Sequence, residues 1–235
     1  MRILALDTAT EACSVALLLQ DDAGTPARVL VRERPPGPGH SAHILSLVRE
    51  VLAEGGLGLH DLDCIAFGRG PGAFTGVRLA ASVTQGLAYG AGLKVVPVSD
   101  LLAVAQQALD LAPGSTSVLV CQDARMQEVY WGCAVRGPAG LASPAGEERV
   151  GSPDTVQVPA ELPGPVQGAG RGFGVWPQIE QRLAGQLAGV QGDLLPRARD
   201  IARLAAPEWL AGRALDPEQA QPVYLRDDVA TPSRK

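Results

Sequence analysis

Two aspartates, Asp7 and Asp123, close the apolar runs Ile3-Leu4-Ala5-Leu6 and Leu119-Val120-Cys121-Gln122. Carboxylates at two strand ends can flank a cleft and serve phosphoryl transfer. Each also heads a polar turn, where Asp captures its own backbone, so both readings stay open. A second candidate is the loop Gly68-Arg69-Gly70-Pro71-Gly72-Ala73-Phe74-Thr75-Gly76, which lies between an apolar run and a helical pattern. Gly70 and Gly72 would let backbone approach a ligand, and the amides of the following helix start would suit an anion. Two nucleotide motifs are excluded. A P-loop needs Gly-Lys-Ser/Thr, and the only lysines are Lys94 and Lys235. The dinucleotide fingerprint needs an acid ~20 residues on, yet no Asp or Glu occurs between Asp63 and Asp100. A tight turn and a phosphate contact remain the alternatives, with Asp7, Gly70 and Gly72 as the cofactor-binding candidates.

The remaining chemistry-bearing residues are sparse. His40 and His43 stand three apart at a helix entrance without a carboxylate or third ligand, and His60 is isolated. Capping or packing explains them better than a metal. Ser41 in Gly39-His40-Ser41-Ala42-His43 lacks the second glycine of a nucleophile elbow. Cys13, Cys64, Cys121 and Cys133 form no Cys-x-x-Cys pair, and a reduced cysteine in an apolar strand acts as a small hydrophobe. No catalytic and no metal-ligating residue is assigned, and a reducing, cytoplasmic compartment is expected.

The elements that must position these residues follow from periodicity. Residues 3–7, 13–19 and 29–31 read as three strands, the last ending at a loop with Pro35 and Pro36. Ile44, Leu45, Val48, Val51 and Leu52 share one face of a helix over 40–54. A strand at 64–67, a helix at 74–90, a strand at 95–98 and a helix at 100–112 complete the first half. Three strands followed by strand–helix units describe a mixed α/β sheet covered by helices, the ribonuclease H-like topology of actin and its ATPase relatives. Leu119–Asp123 with Glu128–Val135 repeats the Leu4–Asp7 and Cys13–Leu19 pattern, and Gly168-Ala169-Gly170-Arg171-Gly172 echoes the first glycine loop. The chance likeness of any glycine-rich α/β chain is the alternative. With a linker at Ala112-Pro113-Gly114-Ser115, the expected division is 1–112 and 113–235. The second half is eroded, with little helix before Val175, and its C-terminal tail packs back on the first.

From Phe74 to Leu93 the only charge is Arg78. Gly76, Ala80, Thr84 and Ala88 recur every four residues as a smooth stripe, with Val83 and Leu87 among the bulky side chains beside it. A helix without a charged face is buried on more than one side, by a partner or by the chain's own second half. Gly76, Ala80, Val83, Thr84, Leu87 and Ala88 are therefore the expected partner interface. Ala80→Glu or Ala88→Glu should then weaken partner binding while leaving the monomer folded. Composition agrees with a lightly charged surface: 19% charged against about 25% in ordinary soluble chains. Net charge −5 without a lysine-rich patch argues against stand-alone nucleic-acid binding. No run of ~18 apolar residues exists to span a membrane, and no signal peptide is evident.

Three blocks are familiar: Ile3–Thr10 with Ser14-Val15-Ala16-Leu17, Gly70–Arg78, and Asp123-Ala124-Arg125-Met126-Gln127-Glu128-Val129-Tyr130. With Pro222-Val223-Tyr224-Leu225-Arg226 they closely resemble the TsaB family, also called YeaZ, over almost the whole chain. The resemblance implies a bacterial protein of the sugar kinase, Hsp70 and actin-like (ASKHA) superfamily. It implies a role in placing threonylcarbamoyl on the tRNA adenosine beside the anticodon, from the threonylcarbamoyl-adenylate made by TsaC. It further implies a heterodimer with the paralogue TsaD, which carries the transferase site, together with the ATPase TsaE; tRNA is reached only through the complex. TsaD holds its metal with an HxxxH pair, and Asp100 and Val104 stand in those places here. Glycoprotease labels attached to the family thus have no residues behind them in this chain. The resemblance also assigns the dimer surface to the first two helices. The expectation is a non-catalytic scaffold without an intrinsic cofactor, with a nucleotide at the TsaB–TsaD junction left open. A small ATPase or phosphotransferase using Asp7 and the Gly68–Gly76 loop, and a homodimer of the free chain, are the competing readings.

Overall fold

A computed structural model describes residues 1–21, 25, 27–34 and 39–226. The loop expected around Pro35 and Pro36 and the last nine residues of the expected second half lie outside them. The first half runs β1 (Arg2–Asp7), β2 (Cys13–Leu19), β3 (Arg28–Arg34), α1 (His40–Gly55), β4 (Cys64–Gly68), α2 (Phe74–Ala91), β5 (Lys94–Val98) and α3 (Asp100–Leu111). The second runs β6 (Ser117–Asp123), β7 (Val129–Arg136), β8 (Ala142–Pro144), β9 (Arg149–Gly151), β10 (Val166–Ala169), α4 (Arg171–Val175), α5 (Pro177–Leu183), β11 (Leu187–Gln191) and α6 (Ala198–Leu210).

The first sheet has the order β3-β2-β1-β4-β5, with β1–β2–β3 antiparallel and β4 and β5 parallel to β1. The second, β11-β10-β6-β7-β8, repeats it: β6 pairs antiparallel with β7 and parallel with β10, and β9 also joins β7. This is the ribonuclease H-like, actin-like arrangement in two related mixed sheets. The repeat noted at Asp7 and Asp123 therefore has a structural basis. The second copy is the thinner: its outer helices are 5 and 7 residues long, where α1 and α2 have 16 and 18. Helix also begins at Arg171, four residues before the expected Val175.

Alternation along β1 explains the layers. Leu4 and Leu6 face α1 and α2, in a cluster with Val15, Leu17, Ile65 and Phe67. Ile3 and Ala5 face the opposite way, with Ala16, Cys64 and Ala66, toward α6 and α3. The alanines on this side meet Ala198, Ala202 and Ala205 of α6, and small side chains on both surfaces allow a close helix–sheet approach. The two halves exchange a helix here. The second half's α6 lies across β1, β2 and β4, while the first half's α3 packs on β6, β7 and β10. Layers thus run α1/α2, first sheet, α3/α6, second sheet, α4/α5. All four cysteines are free, buried and in strands. Burial pushes the thiols of Cys13 and Cys133 up to about 11 and that of Cys64 to about 12, so they remain neutral packing groups.

After α6 the chain returns to the first sheet. Leu215 bridges Val95, Ala220 enters the core beneath α2, and the Val223 amide donates to the Arg69 carbonyl at 2.7 Å. Tyr224 then reaches Arg78, and Arg226 reaches Glu128 and the Ala124 carbonyl.

Candidate functional site

A cleft of about 470 Å³ opens between the sheets, where the turns after β1 and β6 and the start of α2 converge. Each strand-end aspartate caps its own turn. Asp7 Oδ1 accepts the Ala9 amide at 2.8 Å, and Asp123 Oδ1 accepts the Arg125 amide at 3.1 Å. The local turn reading thus describes both. Their surroundings differ, since Asp123 lines the cleft and pairs with Arg125 at 3.2 Å, whereas Asp7 is fully buried beneath it.

The glycine loop folds onto its neighbours. The Arg69 amide donates to the Val98 carbonyl, the Gly70 amide to Asp100 Oδ2 at 2.5 Å, and the Ala73 amide to the Ala9 carbonyl at 2.7 Å. Gly70 sits at φ +101°, and a Cβ on Gly72 would stand 2.5 Å from the Ala9 carbonyl oxygen. These glycines serve close backbone packing, and three of the loop's amides already have protein acceptors. Among the described residues the cleft lining has no lysine, and its arginines have carboxylate partners: Arg171 with Glu11, Arg125 with Asp123, Arg226 with Glu128. A nucleotide would have to displace those partners, so the candidates Asp7, Gly70 and Gly72 do not make a ready phosphate cradle.

Asp100, the first residue of α3, reaches the cleft floor at 1% exposure and meets Asp7 from below. Burial pushes the Asp7 carboxyl up to about 6, against hydrogen bonds from the Ala9 amide, Asp100 and the Thr8 amide. Burial, and then the charge of Asp7, hold Asp100 well above the ordinary carboxylate range. Sequence reasoning met Asp100 only as the stand-in for a metal histidine. Its signal was isolation, an acid alone in an otherwise apolar stretch. His40 bonds the Glu11 carbonyl and so pins the start of α1 to the β1–β2 turn. No cluster of three or more His, Cys, Asp or Glu side chains able to hold a metal occurs among the described residues.

The small-residue stripe of α2 requires a correction. Gly76, Ala80, Thr84 and Ala88 are buried against the chain's own first sheet, and Val83 and Leu87 are half-buried on the flank. A Cβ on Gly76 would overlap the Thr8 carbonyl. Small residues here let the helix lie close to the β1 turn, so the stripe faces inward and cannot touch a partner. The opposite face carries Ser82, Gly86, Tyr89 and Gly90, all exposed, with open space beyond Gly86 and Gly90. It too has no charge between Arg78 and Lys94.

The comparisons with known proteins match this geometry. A family model described as TsaD, tRNA N6-adenosine threonylcarbamoyltransferase, matches residues 37–160. The tRNA threonylcarbamoyladenosine biosynthesis protein TsaB of Escherichia coli K12 is 39% identical, over 98% of this chain and 96% of its own length. The chain belongs to the TsaB family. The Haemophilus influenzae TsaB is 38% identical over 97% of this chain and 95% of its own. The solved structure of YeaZ from Pseudomonas aeruginosa superposes with a TM-score of 0.83 at 42% identity, covering 95% of this chain and 99% of that one. Full-length coverage of TsaB relatives places both sheets, and the strap after α6, within the family's common frame.

Proposed function

We propose that the chain is a non-catalytic subunit of the machinery that transfers threonylcarbamoyl to the tRNA adenosine beside the anticodon. Its partner TsaD would carry the transferase site, with TsaE as the third component. The observation that carries this reading is the uncharged outer face of α2, where Leu79, Ser82, Val83, Gly86 and Tyr89 leave a smooth surface. Soluble surfaces are normally dressed with charge, and an undressed helix face serves contact with another protein. Support for a non-catalytic role comes from the cleft. Asp7 is turned into its own backbone and buried, three of the glycine-loop amides are engaged, and Val104 in place of a histidine cannot ligate a metal. We also propose 1–112 and 113–235 as the two duplicated halves, interlocked through α3 and α6. tRNA would be engaged mainly by the partner, since the chain is acidic.

Light scattering on the chain alone and mixed with its TsaD homologue tests the docking face. The wild type should give a heterodimer mass, and Gly86→Glu should fail to assemble while melting at the wild-type temperature. Assembly of Gly86→Glu at unchanged affinity would remove the proposed interface. A mass of two copies in the absence of TsaD, abolished by the same substitution, would show that the free chain uses this face for itself. Mg-ATP turnover by the isolated chain, lost in Asp7→Ala, would overturn the non-catalytic reading in favour of a small ATPase.

A further inference from the structure

The floor of the cleft holds two carboxyl groups that cannot both be ionised and remain in contact. Asp7 spends Oδ1 on the Ala9 amide, and its Oδ2 is buried without a partner. Asp100 spends Oδ2 on the Gly70 amide, and its Oδ1 is likewise buried without a partner. The two carboxyls are neighbours, each acting on the other's ionisation. An ionised carboxylate only accepts hydrogen bonds, so two acceptors meet with no donor between them. Gly68 lies directly against Asp100, where a Cβ would collide with the carboxyl, so Asp100 has no room to turn toward β4.

Among the described residues no free cationic side chain neutralises the pair. Arg69 acts on Asp100 from the loop but is held by Glu148 at 3.1 Å, and Glu33 of β3 adds negative charge toward Asp7. Cys13 of β2, also within reach of Asp7, is a neutral thiol. We propose that Asp7 and Asp100 form a buried proton site, one proton shared as Asp100 O–H to Asp7 carboxylate, that fastens β1 to the start of α3. The consequence reaches across the molecule, since β1 belongs to the first sheet while α3 packs on the second. The shared proton is a rivet between the two layers at the base of the cleft. Its loss leaves two adjacent buried negative charges, which drive the carboxyls apart and loosen the first turn of α3 and the Gly68–Gly72 loop.

The sign follows from proton counting. The folded chain holds a proton that the unfolded chain releases above the ordinary Asp value of 3.8. Stability from this pair is therefore complete at acidic pH and declines as pH rises, through about 6 for Asp7 and further for Asp100. Asp100→Asn supplies a permanent neutral donor in the same place, whereas Asp100→Ala supplies none. Thermal melts of the full chain from acidic to alkaline pH should show Asp100→Asn gaining on the wild type as pH rises. Asp100→Ala should melt below both throughout. The infrared C=O stretch of a protonated carboxyl should persist in the wild type at neutral pH and vanish in Asp100→Asn. Absence of that band in the wild type, or parallel pH profiles for Asn and wild type, would overturn the proposal. So would a rise in melting temperature with added Mg²⁺ that Asp7→Asn removes, which would make the pair a metal site instead.

Discussion

The two sheets share a strand order but not a covering. The first carries α1 and α2 on its outer face, 34 helical residues over an aliphatic layer of Leu4, Leu6, Val15, Leu17 and Ile65. The second is covered by α4 and α5, 12 residues, supplemented by Trp131, Phe173, Val156 and loop side chains such as Val158 and Leu162. A sheet of this topology can therefore be sealed by long helices or by aromatic rings and short turns. What differs is the outside: only the first covering offers a long, uncharged helix face. On the docking proposed above, the outer layer of the first half does two jobs, packing inward and docking outward, while that of the second half only packs.

The largest expected effect separates those two jobs on one helix. Ala80 is fully buried on the inner face of α2, and Ala80→Glu would place an unpaired carboxylate against the first sheet. The cost should be about 3–5 kcal/mol, enough to unfold a marginal domain. Gly86→Glu on the outer face should be neutral or gain a few tenths of a kcal/mol, because glycine is a poor interior helix residue. Equilibrium urea unfolding measures both. If Ala80→Glu folds with ordinary stability, the inward assignment of the stripe fails, and with it the distinction between the two faces.

That distinction also marks the limit of what the residues disclosed. The strands of the first sheet, the two long helices and the duplicated Asp turns were legible because period-two and period-3.6 patterns depend only on local geometry. The direction of the α2 stripe was not. A helix lacking charge all round gives no polar face to orient it, and only the carbonyl of Thr8 pressed on Gly76 decides which side is inside. The early start of α4 was hidden for a different reason: Arg171-Gly172-Phe173-Gly174-Val175 carries two poor helix formers and is held by packing on β6. The Asp7–Asp100 contact joins residues 93 positions apart through the pairing of β1, β4 and β5, which no local pattern reports. Nor does spacing announce that α3 and α6 change sheets.

A matched pair of cavities tests whether the thin covering is as firmly packed as the thick one. Ile44 of α1 and Ile179 of α5 are both at or below 1% exposure, each in the outer cluster of its own sheet. Ile→Ala at such sites costs about 2–5 kcal/mol. Both variants should fall in that range when unfolding is followed by denaturant titration. A loss below about 1 kcal/mol at Ile179 would mean that the short helices are a loose coat, and the comparison would become one of stability as well as shape.

The strap after α6 should matter less. Arg226 ties it to the second half through Glu128 and the Ala124 carbonyl, with only 19% of its side chain exposed. Arg226→Ala removes a partly buried charge-assisted contact, and about 1–2 kcal/mol should be lost. Tyr224 and Arg78 hold the same strap to α2 at 2.7 Å, so Tyr224→Ala removes one of its ties to the other half. Because one backbone segment carries both contacts, the double variant should cost less than the two single losses added together. Strict additivity would show two independent anchors instead of one strap joining the halves.

The smallest effect lies at the cleft mouth, where Glu11 from the β1–β2 turn meets Arg171 at the head of α4. This is a direct tie between the two halves, but both side chains are open to solvent, at 33% and 46% exposure. Water screens the charges, and holding two flexible side chains together opposes the attraction, so Glu11→Gln should cost no more than about 1 kcal/mol. Salt distinguishes this from a packing loss. With a Debye length of about 3 Å in molar salt, the wild type should lose its advantage there, and the two melting curves should coincide. A gap that survives molar salt would mean the two halves meet at the cleft through shape as well as charge. The thin covering of the second sheet would then take part in the joint, and the assignment of a packing role alone to that side would have to be given up.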